Sequence, residues 1–93
     1  MTVDWSKRGD YIAKHGVTAA QAGEALTDPD AVVFNPDYNS RNGEGVRTIG
    51  FSPSADSVLT VITYVVDGVM HGASAWKSNS LDRRYYRRGG PDE

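Results

Sequence analysis

The stretch that decides the fold is residues 58–66, VLTVITYVV, which is the most apolar segment of the chain. It is rich in β-branched residues and is apolar on both faces of an extended backbone. Such a pattern is typical of a central strand that helices cover on at least one side. Asp67-Gly68 follows as a two-residue hairpin turn, so residues 69–77 are predicted to pair with this strand.

Two more strands are predicted upstream of this hairpin. Residues 31–34 form a short apolar strand, and residues 46–51 form a second one, with Arg47, Ile49 and Phe51 on one face. The polar segment 35–45 between them contains Asn42-Gly43, a strong turn signal. The order of these segments predicts a four-stranded antiparallel meander.

Helices are predicted at both ends of the chain. Asp4 is placed to cap a helix over residues 5–15, which Gly16 ends, and Thr18 is placed to cap a second helix over residues 19–26. Asn79 and Asp82 form a capping pair for a third helix that carries residues 83–88. We therefore expect one α+β domain over residues 1–93, with an antiparallel sheet covered by the N-terminal helical hairpin.

The composition excludes several classes of protein. With no cysteine among 93 residues, the chain has no disulfide and no thiolate site. No apolar run approaches the roughly 20 residues of a membrane span, and the start lacks a signal-peptide layout. We expect a cytoplasmic protein with no membrane partner. No cluster has the spacing of metal ligands, and the nucleotide-binding glycine motifs are missing, so we expect no metal and no cofactor.

A basic block near the end is the strongest physical clue to function. Residues 77–88, KSNSLDRRYYRR, hold five of the ten Lys and Arg residues, and only Asp82 opposes them. Cations interleaved with aromatic rings suit phosphates and bases. A solvated helix face or a protein-binding surface explains the same charges, so the block alone predicts only an anionic partner.

Three other positions are open to two interpretations. Lys14 and His15 are either cations at a helix end, where the dipole favours them, or an acid/base and phosphate-binding pair. His71 is more typical of a strand residue than of a site. Arg47 lies either on an open sheet face, ready to stabilise a phosphate, or in an ion pair with a carboxylate such as Glu44.

Taken together, these elements resemble the BrnT family, the small ribonuclease toxins of BrnT/BrnA toxin–antitoxin systems. The resemblance covers nearly the whole chain. It is carried, in order, by Trp5, KHGV (14–17), AGEAL (22–26), Asp28-Pro29, GEGVR (43–47), IGFS (49–52), SA (74–75) and DRRYY (82–86). It implies a RelE-like fold, metal-independent RNA cleavage that inhibits translation, and neutralisation by a DNA-binding antitoxin encoded by a neighbouring gene.

The resemblance also implies a set of site residues. Those with implied catalytic roles are Lys14, His15, Arg47, Lys77 and Arg83, and those implied to bind RNA are Trp76, Arg84 and Tyr86. Trp76 stands where the family usually has an arginine. A tryptophan cannot donate a charge-assisted hydrogen bond to phosphate, although it can stack on a base.

Two hypotheses of function follow. In the first, the chain is an endoribonuclease toxin in which the RNA 2′-hydroxyl is the nucleophile, His15 or Lys14 moves the proton, and Arg47, Lys77 and Arg83 stabilise the phosphate. In the second, Trp76 marks a weak or lost active site, and the protein is a binding module for a protein or a nucleic acid.

Overall fold

A computed structural model describes residues 3–90. The elements are α1 (Gly9–Ala13), α2 (Ala19–Leu26), β1 (Val32–Phe34), β2 (Val46–Ser52), β3 (Ser57–Val66), β4 (Val69–Lys77) and α3 (Ser80–Arg88). The predicted α+β class, with four antiparallel strands and a C-terminal helix, is confirmed. Among residues 3–90, no helix has the length and apolar character needed to cross a membrane.

The sheet is a simple meander with the order β1-β2-β3-β4, and every neighbouring pair is antiparallel. Asp67 and Gly68 both have positive φ angles, 52° and 78°, which makes the β3–β4 connection the tight hairpin turn that the sequence predicts. The β3–β4 register shifts by one residue beyond Ile62. This bulge leaves Ala73 without a partner on β3.

The first helix is shorter than predicted. Residues 5–15 were expected to be helical, but α1 spans only Gly9–Ala13. The reason is tertiary: Asp4 donates its N–H to the Met70 carbonyl and accepts from the Gly72 N–H, which holds it in an extended bridge beside β4. Its carboxylate still caps the following turn through the Ser6 N–H. Gly16 ends the segment with a φ of 77°, as predicted.

The α2 helix has the predicted bounds and covers one face of the sheet. Thr18 and Gln21 close a reciprocal capping box at its start. Its backbone approaches β2 so closely that a Cβ at Gly50 would lie 2.0 Å from the Ala25 carbonyl oxygen. The apolar core lies on this face and consists of Ile12, Val17, Ala22, Ala25, Leu59, Val61 and Ala75.

The α3 helix lies on the opposite face. Residues paired across neighbouring strands share a face of the sheet, and successive residues of a strand point to opposite faces. The pairs Arg47–Ile62 and Thr60–Trp76 alternate with the pairs that face α2, so they lie on the face opposite α2. Asp82 of α3 bonds to Arg47 and Thr60, so α3 and these side chains lie on one side. Asn79 caps α3 by accepting the Asp82 N–H at 2.9 Å, but the Asp82 side chain points to the sheet instead of returning to Asn79.

Candidate nucleic-acid interface

Arg47 lies at the centre of a buried polar network beneath α3, and only 3% of its surface is exposed to solvent. Its Nε donates to Asp37 Oδ1 at 2.7 Å, and its Nη1 donates to Asp82 Oδ2 at 2.6 Å and to the Tyr38 hydroxyl at 2.9 Å. The Tyr38 hydroxyl donates to Asp82 in turn. Thr60 also donates to Asp82, at 2.8 Å.

The network favours the charged form of Arg47 and the neutral form of Tyr38. Burial by itself lowers the pKa of Arg47, but the hydrogen bond to Asp37 and the charges of Asp82 and Asp37 outweigh burial and raise that pKa. Burial and the hydrogen bond to Asp82 raise the pKa of Tyr38. Arg47 therefore stays a cation and Tyr38 stays a neutral donor across the physiological range.

Arg47 is thus paired, and not on an open face of the sheet. Its partners are Asp37 and Asp82, and not Glu44, which the sequence suggested. Breaking a buried ion pair leaves an uncompensated charge, so the guanidinium is not free to move to a ligand phosphate. Arg47 holds α3 and the 35–45 loop against the sheet through Asp82 and Asp37. It is therefore a positioning residue for a ligand that binds at α3.

Trp76 lies beside this network on the same face. Its ring centre is 5.5 Å from the Arg47 guanidinium carbon, and the residue is half-buried. The α3 helix lies over β2 and β3. The β4 side of this face, which carries Trp76 and Ser74, therefore keeps partly open aromatic surface that suits base stacking.

The five cations of the basic block are all exposed, although α3 itself is firmly held. Arg83 donates from Nη1 to the Ser78 carbonyl at 2.6 Å, which fixes its side chain at the end of β4. Arg84 lies next to it on the outer surface of α3. Because Asp82 is fully buried and points to Arg47, the one carboxylate of the block does not offset the exposed positive charge.

Both tyrosines of α3 are half-buried. Tyr85 packs against the rings of Phe34 and Tyr38. Tyr86 donates its hydroxyl to Asp28 Oδ2 at 2.5 Å. That hydrogen bond is the largest cause, and burial the next largest, of a rise in the pKa of Tyr86 to about 12. Tyr86 therefore anchors the end of α3 to the loop after α2.

Lys14 and His15 lie on the other face, at the exposed end of α1. The Tyr11 ring contacts both His15 and Arg8. Its centre is 5.1 Å from the centre of the His15 ring and 4.0 Å from the guanidinium carbon of Arg8. Arg8 donates from Nε to the carbonyl of Ala73, the residue that the β4 bulge leaves unpaired. These contacts make an ordered, basic and aromatic surface along α1.

The structure divides the predicted site residues into two groups. Lys77 pairs with Leu59, which faces α2, so Lys77 shares the α1 side of the sheet with Lys14 and His15. The side chains of Arg47, Trp76 and Tyr86 lie on the α3 side. Within residues 3–90, no hydrogen bond, ion pair or ring contact joins Lys14 or His15 to Arg47. Arg83 lies between the groups, at the end of β4.

Sequence reasoning missed Asp37 and Tyr38 and saw Asp82 only as a cap. One signal was available: an arginine in the middle of an otherwise apolar strand, when buried, needs carboxylate partners. The sequence did not show which of the many acidic residues would reach it. Within residues 3–90, no three His, Asp or Glu side chains are grouped as metal ligands would be.

No protein-family model matches the chain. A search of curated proteins finds no significant match either.

Proposed function

We propose that the protein is a BrnT-like toxin of a toxin–antitoxin pair, an endoribonuclease that binds and cuts RNA in the cytoplasm and so inhibits translation. The observation that carries the proposal is the setting of α3: its one carboxylate is buried against Arg47, and all its arginines are exposed. A fixed basic surface beside a half-buried tryptophan combines phosphate attraction with base stacking.

The chemistry would use the RNA itself as the nucleophile. The 2′-oxygen forms a bond to phosphorus while the bond from phosphorus to the 5′-oxygen breaks, which leaves a cyclic phosphate and a free 5′-hydroxyl. One group must take the 2′-hydroxyl proton and one must return a proton to the leaving oxygen. His15 is the exposed candidate for the proton, with Lys14 beside it, and Lys77 and Arg83 are the candidates for stabilising the phosphate.

The partner in this proposal is a DNA-binding antitoxin encoded by a neighbouring gene. Arg47 contributes indirectly, because it holds α3 and therefore the orientation of Arg83 and Arg84. This division of roles differs from a direct contact between Arg47 and phosphate, and it follows from the two carboxylates that already pair with Arg47.

Expression of the chain alone, with growth and total RNA integrity as readouts, tests the proposal. We expect growth arrest and RNA fragments that co-expression of the neighbouring gene suppresses. In purified form, His15→Ala should slow cleavage by roughly 10²–10⁴-fold if it moves the proton. Lys7→Ala is the matched control, because Lys7 is an exposed cation outside the predicted site. Normal growth and intact RNA under full induction would contradict the toxin function.

The second candidate is a binding module without a reaction of its own. The burial of Arg47 and the presence of Trp76 at the position of a family arginine favour it. In that case His15→Ala and Lys14→Ala leave any growth effect unchanged, while a stable complex with the neighbouring gene product still forms. Size-exclusion chromatography of the co-expressed pair, with wild type and both variants in parallel, separates the two candidates.

A further inference from the structure

The structure contains an open cleft on the α3 side of the sheet that no step of the proposed cleavage uses. It lies between the 35–45 loop and the adjoining part of β3, and its volume is about 430 Å³. Asp37, Asn39, Asn42 and Glu44 contribute to its wall, while Ile62 and Tyr64 of β3 contribute to its floor. It adjoins the Arg47 network through Asp37.

The floor is suited to a flat aromatic ligand. Ile62 and Tyr64 are two residues apart on β3, so their side chains share one face of the strand. The Tyr64 ring stacks on His71 of β4, with centres 5.3 Å apart and planes 22° apart. This stacking supports the tyrosine ring beneath the cleft.

The wall is held by hydrogen bonds within the 35–45 loop and offers unused polar groups. Asp37 donates its N–H to the Gly45 carbonyl at 2.7 Å, and Asn42 Oδ1 accepts the Glu44 N–H at 3.0 Å, which closes the loop on itself. Glu44 Oε2 accepts one bond, from Asn42 at 3.4 Å, which leaves Oε1 and a second lone pair of Oε2 as acceptors. Within residues 3–90, the Asn39 side-chain amide has no hydrogen-bond partner.

The charge of the cleft selects a base and not a phosphate. Its described lining holds no lysine or arginine and two carboxylates, of which Asp37 is paired with Arg47 and Glu44 is in no ion pair within residues 3–90. A phosphate would be repelled there, whereas the Watson–Crick edge of an unpaired base can be read by carboxylate and amide groups. Guanine fits best, because it presents two N–H donors side by side for Glu44 and one carbonyl oxygen for the Asn39 amide.

We propose that this cleft holds one unpaired guanine of a single-stranded RNA, stacked on Tyr64 and recognised by Glu44 and Asn39. Trp76 lies on the same face and is available to stack on another base of the strand. The inference rests on the proposed function for its ligand class, since it names the base that an RNA substrate would place beside the Arg47 network.

Binding of uncleavable RNA tests the cleft independently of the reaction. The probes are fluorescein-labelled single-stranded hexamers, fully 2′-O-methylated, that differ only in having G, A, C or U at one central position. Fluorescence anisotropy gives the four dissociation constants for wild type. We expect the G hexamer to bind roughly tenfold tighter than the others, as a pair of matched hydrogen bonds to a base edge provides.

Variants then assign the preference to residues. Glu44→Gln places a donor opposite the guanine donors, so it should abolish the preference for G while weak binding of the other hexamers persists. Tyr64→Leu should weaken binding of the G hexamer by roughly tenfold through lost stacking, and Tyr64→Phe should retain it. Asp56→Asn is the matched control for Glu44→Gln, because it removes one exposed carboxylate at the far end of the β2–β3 hairpin.

The outcomes for the cleft and for the toxin function are distinguishable. If wild type prefers G and Glu44→Gln loses that preference, but unmodified RNA stays intact, the cleft inference holds and the nuclease function fails. If unmodified RNA is cut, but Glu44→Gln and Tyr64→Leu bind all four hexamers as wild type does, the cleft inference is overturned. Equal binding of the four hexamers by wild type would also overturn it.

Discussion

The face of the sheet beneath α1 and α2 carries the apolar core, whereas the face beneath α3 carries a buried network of ion pairs. On the first face, Leu59 and Val61 meet Ala22 and Ala25. On the second, Arg47, Asp37 and Asp82 are joined by hydrogen bonds. Apolar contacts tolerate small shifts, but hydrogen-bonded ion pairs do not. The apolar face therefore holds the domain together, and the ionic face fixes where α3 and its arginines stand.

Removing Asp82 should have the largest effect on stability. Asp82→Ala leaves Arg47 with one carboxylate partner and leaves the Tyr38 hydroxyl without its acceptor, so we expect a loss of roughly 3–5 kcal/mol in the free energy of unfolding. Urea denaturation measures the loss. Asp56→Asn is the control and should change the stability by less than roughly 0.5 kcal/mol.

The comparison of faces also predicts where the Asp82→Ala protein loosens. Amide hydrogen exchange should accelerate in α3 and leave α2 protected, because the apolar core beneath α2 is intact. Equal acceleration in both helices would show that the two faces are not independent.

Truncating a side chain of the apolar face should lower the free energy of unfolding by nearly as much, but it should loosen a different helix. Leu59 is fully buried, and Leu59→Ala should lower the free energy of unfolding by roughly 2–5 kcal/mol through lost burial and the cavity left behind. Here we expect hydrogen exchange to accelerate in α2 before α3. If α3 exchanges first in this variant as well, the ionic network is not what holds it.

The smallest predicted effect concerns Glu24, which connects α2 to the β2–β3 turn. Glu24 Oε1 accepts from the hydroxyls of Ser52 and Ser54 and from the Ser54 N–H, at 2.7, 2.8 and 3.0 Å. The Ser52 bond first, then those from Ser54, lower the pKa of Glu24. A lowered native pKa stabilises the fold above the unfolded-state pKa of about 4.3, and the contribution is lost as the pH falls through the native value.

Glu24→Gln isolates that contribution from those of the other carboxylates. We expect the stability gap between wild type and Glu24→Gln in urea to be present at neutral pH and to close as the pH falls below about 4. A gap that stays constant down to about pH 2 would mean that the Glu24 charge does not stabilise the turn.

The sequence determined the local elements because their signals are local. The β-branched run of residues 58–66, the Asp67-Gly68 turn and the Thr18 cap each act through neighbouring residues, and the structure confirms all three. The predicted start of α1 was wrong because a contact between distant residues decides the structure there. Asp4 is bound to Met70 and Gly72, residues distant in sequence, and that bridge replaces the first helical turns.

The candidate site was predicted as a set of residues but not as an arrangement. Charge and aromatic composition marked Arg47, Trp76 and the α3 arginines, since those residue types carry phosphate and base chemistry wherever they are exposed. Only the tertiary structure decided that Arg47 is buried between Asp37 and Asp82, that Lys14 and His15 lie on the other face, and that the 35–45 loop walls a cleft over Tyr64. Which ion pairs form, which face of the sheet a side chain occupies and how deeply it is buried all depend on contacts between residues distant in sequence. A local sequence pattern does not encode those contacts.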